Sequence, residues 1–406
     1  MPYRNISTFG SFLSRDLSFY EEDMGVTDEY DDTTTPSNET KITASDGASS
    51  DEFGYSVAVG SGRICVGAYS NDDNGSQSGS AYIYDLDGTQ IAKMTASDAA
   101  GSDFFGVSVA IGSGRIVVGA SGDDDNGSQS GSAYIFDLDG TQLAKIKSSD
   151  GAATDYFGEI VAVGSGRIVV GALVDDDDGS ASGSAYIFDL DGTQLTKITA
   201  SDANNGDRFG TSVAIGSGRI VVGASLDDDD GSESGSAYIF DLDGTQLTKI
   251  TASDAAAGDR FGHSVAVGSG RIVVGSYGDD VNGGQTGSAY IFDLDGTQLA
   301  KITASDGASG DSFGFSVAVG SGRIVVGAYG DGDDSGSSYI FDLDGTQLAK
   351  IVASDAASND RFGRSVAVGS GRIVVGSYLD DDNGGSSGSA YIWNTPFVKH
   401  HLDILD

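Results

Sequence analysis

The sequence is poor in most of the residues that carry chemistry. One cysteine among 406 residues excludes an internal disulfide framework. Cys65 stands where the equivalent segments carry Val117, Val169, Val221, Val273, Val325 and Val374, so it is expected to be a buried core residue and not a reactive thiol. No run of 18 apolar residues exists, which argues against a membrane-spanning helix. The opening stretch MPYRNISTFGSFLSRDLSFYEED lacks a basic start followed by an apolar segment, so no N-terminal secretion signal is visible. Positive charge is scarce, with 22 Lys and Arg against 61 Asp and Glu and a net charge of −39. That balance opposes nucleic acid, which needs basic patches over phosphates, and anionic lipid. HExxH, GxSxG, P-loop and CxxC patterns are all missing, and the only histidines are His263, His400 and His401. No enzyme activity is expected.

What is present is glycine (62), aromatic side chains (35 Phe and Tyr) and repetition. A Phe-Gly pair recurs at Phe53, Phe105, Phe157, Phe209, Phe261, Phe313 and Phe362, spaced by 52 residues five times and then by 49. Each unit holds four short strand-like runs: SVAVG, RIVVGA, SAYIFD and TQLAKITA. A Ser-Gly turn separates the first two and an Asp-Gly turn such as Asp139-Gly140 the last two. Four antiparallel strands in about 50 residues is the size of one propeller blade. Small residues in the first strand (Ser108, Ala110, Gly112) suit a crowded ring centre, while Val109 and Ile111 can face neighbouring blades.

The phase of the repeat predicts how the ring closes. Lys41 to Ser45 is a fourth strand with no first three before it, and the last unit stops after its third strand, Ala390 to Trp393. One orphan matches one vacancy, and pairing them removes an open sheet edge. The expected fold is therefore all-β: a single seven-bladed β-propeller of four-stranded antiparallel blades, closed by the N-terminal strand joining the last blade. Residues 1–39 are expected to be an arm and linker, 40–394 the propeller and 395–406 a tail. The run of FG, SVAVG, VGA, an Asp- and Gly-rich loop and GSAYIF resembles the FG-GAP repeat of bacterial and phage proteins and of integrin α-subunit heads. The resemblance implies extracellular recognition and often calcium. Integrin calcium loops lie between the first and second strands, however, and here that turn is only Gly112 to Arg115, so those metal positions do not carry over.

The acid is concentrated instead between strands two and three and between blades, where 35 of the 61 acidic residues are expected on one face. Only Arg208, Arg260 and Arg361 stand out there as basic relief. Two readings compete: a solvated acidic face that opposes aggregation, and calcium held by adjacent carboxylates on flexible loops. Calcium is the favoured cofactor. Its candidate ligands are Asp123, Asp124 and Asp125; Asp175, Asp176, Asp177 and Asp178; Asp227, Asp228, Asp229 and Asp230; and Asp380, Asp381 and Asp382.

The copies also show where the chain varies. The residue after each Phe-Gly changes freely, and so does the residue before it. Tyr55, Glu159, Arg208, Arg260, His263, Phe315, Arg361 and Arg364 are the resulting recognition candidates, expected near the axis on the acidic face. Variable aromatics and arginines on a rigid scaffold suit binding; drift at unconstrained loop positions is the alternative. The expected function is a non-catalytic binding or structural module, first of a phage virion (tail or fibre). Its partners would be other proteins of the assembly, through an arm centred on Phe9 to Tyr20, and a host-surface protein or glycan. A secreted or cell-surface calcium-dependent adhesin is the second reading and a polysaccharide-acting enzyme the third. The corresponding location is the virion or the cell exterior.

Overall fold

Each run of Val, Ile and aromatic residues forms a strand, because β-branched and aromatic side chains fit a pleated, half-buried surface. A computed structural model describes residues 36–280 and 283–395. Its first strand, β1 (Ser37–Ile42), precedes seven sets of strands. Blade 1 has β2 (Ser56–Gly60), β3 (Arg63–Ala68), β4 (Ser80–Tyr84) and β5 (Gln90–Met94). Blade 2 has β6 (Val109–Gly112), β7 (Arg115–Ala120), β8 (Ser132–Phe136) and β9 (Gln142–Ile146). Blade 3 has β10 (Ile160–Gly164), β11 (Arg167–Ala172), β12 (Ser184–Phe188) and β13 (Gln194–Ile198). Blade 4 has β14 (Phe209–Gly216), β15 (Arg219–Ala224), β16 (Ser236–Phe240) and β17 (Gln246–Ile250). Blade 5 has β18 (Ser264–Gly268), β19 (Arg271–Ser276), β20 (Ser288–Phe292) and β21 (Gln298–Ile302). Blade 6 has β22 (Ser316–Gly320), β23 (Arg323–Ala328), β24 (Ser337–Phe341) and β25 (Gln347–Ile351). Blade 7 has β26 (Ser365–Gly369), β27 (Arg372–Ser377) and β28 (Ser389–Asn394), and takes β1 as its fourth strand.

The closure is the expected one with shifted bounds. β1 runs antiparallel to β28 with Thr40 opposite Ile392, Lys41 opposite Tyr391 and Ile42 opposite Ala390. It starts at Ser37 and ends at Ile42, whereas the sequence phase pointed to Lys41 to Ser45. Two further contacts cross the seam. Arg372 donates from Nε to the Leu86 carbonyl at 2.9 Å, and Ile42 and Ala44 join a core cluster with Phe53, Val66 and Val374.

The core lies between blades. Phe105 is fully buried and meets Tyr134 and Phe136 edge to face, at centroid distances of 5.4 and 5.9 Å. Ala58, Ile83 and Met94 of blade 1 pack onto the same group. Such pairs add about 0.5–1.5 kcal/mol beyond area burial. Trp393 is buried against Phe362 and Tyr391, and Cys65 is fully buried in the Phe105 cluster. Glycine is required where blades touch: a β-carbon at Gly106 or Gly131 would overlap the Ser80 or Phe157 carbonyl oxygen. First-strand serines add hydrogen bonds to the next blade, as from Ser56 Oγ to the Gly106 carbonyl at 2.8 Å.

Candidate functional site

The loops between strands two and three meet the blade-linking loops, as the repeat pattern implied. Thr154 N–H, in the link from blade 2 to blade 3, donates to the Ser128 carbonyl at 2.8 Å. What the sequence reading missed is the lysine of each outer strand. In blade 2, Lys145 Nζ lies 2.8 Å from Asp98, 2.7 Å from Asp123 and 2.8 Å from Asp125. Tyr134 Oη sits between Asp98 Oδ1 (2.9 Å) and Asp123 Oδ2 (3.1 Å). Lys197 repeats the arrangement with Asp150, Asp175 and Asp177, Lys249 with Asp202, Asp227 and Asp229, and Lys41 with Asp355, Asp380 and Asp382. Lys93, Lys301 and Lys350 each bind two carboxylates in the same place. The basic relief on this face therefore includes one lysine per blade, seven in all, and not only the three arginines. Their signal was visible: QLAKI or a close variant recurs with its lysine at Lys93, Lys145, Lys197, Lys249, Lys301 and Lys350, and Lys41 starts the pattern.

The lysines bear on the calcium expectation. Among the described residues, the groups whose oxygens converge tightly enough for an ion are Asp98, Asp123 and Asp125, and Asp355, Asp380 and Asp382. Both triads already surround an ammonium. Calcium takes six to eight oxygens and would need these same carboxylates, so an ion there competes with the lysine. Among the candidate ligands, Asp123, Asp175, Asp227 and Asp380 are buried at the cluster floor, and Asp125, Asp177, Asp229 and Asp382 close it from outside. Asp124, Asp176, Asp178, Asp228, Asp230 and Asp381 are exposed. Asp124 spends Oδ1 on the Gln129 N–H at 2.8 Å, a turn contact.

The carboxylates divide electrostatically. Asp98, Asp150 and Asp202 are held below the usual range: burial works against this, but hydrogen bonds from lysine and tyrosine outweigh it. The second aspartate of each link is buried, and desolvation pushes it up against weaker opposition from a backbone hydrogen bond and the nearby lysine, with Asp207 raised to about 6.

The variable residues converge elsewhere. Tyr55, Val107, Glu159, Thr211, His263, Phe315 and Arg364, one per blade, line a single cavity of about 370 Å³ at the start of the innermost strands. Arg364 is clamped there, with its guanidinium 4.5 Å from the Tyr55 ring centroid and 4.5 Å from that of Phe315. It donates from Nη2 to Tyr55 Oη at 2.9 Å. His263 meets Tyr277 edge to face and Phe315 at a tilt, both at 4.6 Å. Burial, helped by the charges of Arg364 and Arg260, pushes its pKa down to about 3, so the imidazole is neutral. Burial pushes the Glu159 carboxyl up. The residues before Phe sit further out. Arg260 binds Glu233 (2.7 Å) and the Tyr277 hydroxyl, Arg361 lies over Tyr329, and Arg208 is exposed.

The FG-GAP repeat family matches residues 36–84, 89–136, 141–188, 193–240, 245–292, 297–341 and 346–393. Each match runs from one outer strand through the next three, so the seven units interlock around the ring. No curated protein matches the chain. Seven matched units spread over most of the sequence, on a closed seven-bladed ring, place this chain in the FG-GAP repeat family.

Proposed function

We propose that this protein is a non-catalytic recognition module that binds its ligand in the axial cavity. The observation that carries this reading is the convergence of the seven post-Phe-Gly residues on one cavity. They are among the positions at which otherwise near-identical units differ. The cavity also has unused hydrogen-bonding capacity, since among the described residues Arg364 has one hydrogen-bonding partner for its five N–H groups. Small, largely preformed cavities with a few convergent polar groups are the usual form of ligand sites. A single carboxyl, Glu159, lines it. Glycoside hydrolysis generally uses two, which favours binding over turnover.

A phage virion is the setting we favour and a cell-surface adhesin the second. A net charge of −39 keeps such a module dispersed outside the cell. The docking arm, Phe9 to Tyr20, and the tail from Pro396 lie outside the described residues. The test is binding of the labelled full chain to intact bacterial cells. Arg364→Met should remove most of the binding while leaving the melting temperature unchanged. Equal binding by wild type and variant would overturn the axial site.

A further inference from the structure

We propose that the axial cavity takes a neutral saccharide, one or two pyranose rings at the end of a surface glycan. This deepens the recognition reading and rests on it.

The walls of the cavity are unequal. Phe315 of blade 6 and Tyr55 of blade 1 line it. Each is backed by further rings: Phe315 contacts Tyr277 at 5.4 Å, and Tyr55 contacts Tyr69 at 4.3 Å and Tyr378 at 5.5 Å. Arg364 is stacked between the two lining rings, within this aromatic arc. Glu159, from blade 3, stands across the ring from blade 7, so donor and acceptor face each other over the axis.

This arrangement sorts ligands by charge. The guanidinium is held in plane by two rings, and its remaining N–H groups meet no acceptor among the described residues. They need an oxygen lone pair. Glu159 is supported by the Ser121 hydroxyl and needs donors. An anion would satisfy Arg364 but offer Glu159 no hydrogen-bond donor. A cation would do the reverse. A sugar hydroxyl both donates and accepts, so one neutral polyhydroxylated ring meets both. The neutral imidazole of His263 adds one donor and one acceptor without changing the charge. The C–H face of a pyranose is apolar and suits the ring faces of the aromatic arc. A volume of about 370 Å³ is near the lower end for ligand cavities, about 300–1,000 Å³, which limits the bound part to a mono- or disaccharide.

The experiment is an array carrying neutral glycans, acidic glycans and peptides, probed with the full chain and followed by calorimetry on neutral mono- and disaccharides. Wild type should bind one or more neutral glycans. Arg364→Met and Phe315→Leu should each weaken that binding at least tenfold, with melting temperatures as in wild type. Binding only to acidic glycans or peptides, still lost in Arg364→Met, overturns the saccharide class and leaves the axial site standing. Neutral-glycan binding that survives both substitutions overturns the axial site itself. Absence of binding to any neutral glycan overturns this inference.

Discussion

At the scale of single residues, the lysine clusters separate close neighbours. Lys145 is mostly buried among three carboxylates, whereas Lys147 makes one exposed contact to Asp125 at 3.3 Å. Removing the first charge strands carboxylates that are partly out of water, so Lys145→Met should destabilise by on the order of 2–3 kcal/mol. Lys147→Met should change stability by less than about 0.5 kcal/mol. Denaturant titration of both variants checks the contrast. The signs of the pKa shifts set the pH window. Asp98 is lowered, so its contribution is present above the ordinary carboxylate pKa and lost as pH falls below about 4. Lys145 is raised, so its contribution is fully present below the ordinary lysine pKa and is lost as pH rises from there through the folded value. The effect of Lys145→Met should therefore be flat from about pH 5 to 9 and shrink below pH 4. Asp207 behaves oppositely. With its pKa raised to about 6 in the fold, it binds a proton more readily folded than unfolded, and stability falls as pH rises through that range. Asp207→Asn should become progressively more stable relative to wild type between about pH 4 and pH 7. Melting curves of the pair across that interval test it, and a constant difference would contradict the assignment.

At the scale of elements, β1 is the strand on which the ring depends. It supplies the Ile42 and Ala44 core contacts and places Lys41 against Asp355, Asp380 and Asp382, more than 300 residues away in the chain. Deleting residues 1–46 removes a ladder, a buried isoleucine worth about 2–3 kcal/mol, the Lys41 cluster and Asp46, which binds Lys93 and Tyr82 in the neighbouring one. The expected loss is about 5 kcal/mol, read by denaturant titration, against a chain lacking only residues 1–30, which keeps β1. Equal stability of the two truncations would mean that β1 does not close the ring. The pairing was legible because strand four precedes strand one at the start of the chain and is missing at its end. Its bounds were not, because Ser37 and Asn38 carry no repeat signal and enter the ladder through a register shift beyond Thr40.

At the scale of the whole molecule, seven lysines act as fixed counter-cations for a strongly acidic face. Millimolar calcium should raise the melting temperature of the full chain no more than sodium chloride at the same ionic strength, because both act by screening. Lys145→Met frees three convergent carboxylates and should gain a calcium-specific stabilisation that wild type lacks. A large calcium-specific shift in wild type would show that metal displaces the ammonium.

The strand pattern, blade count and ring closure were set by local sequence. Period-two alternation, turn residues and the repeat phase each act within a few residues or by simple counting. The convergence of Tyr55, Glu159, His263, Phe315 and Arg364 followed from that count once seven equivalent positions were placed on a ring. The lysine clusters could not be read the same way. Lys145, Asp98 and Asp123 come from three different segments, and whether a lysine on a rim strand points to solvent or into the loops depends on the twist of the blade and the path of the link beside it. Arg364 likewise becomes a clamped donor only because blades 1 and 6 deliver Tyr55 and Phe315 to its two faces. Those meetings are made by closure of the ring and exist only in the tertiary structure.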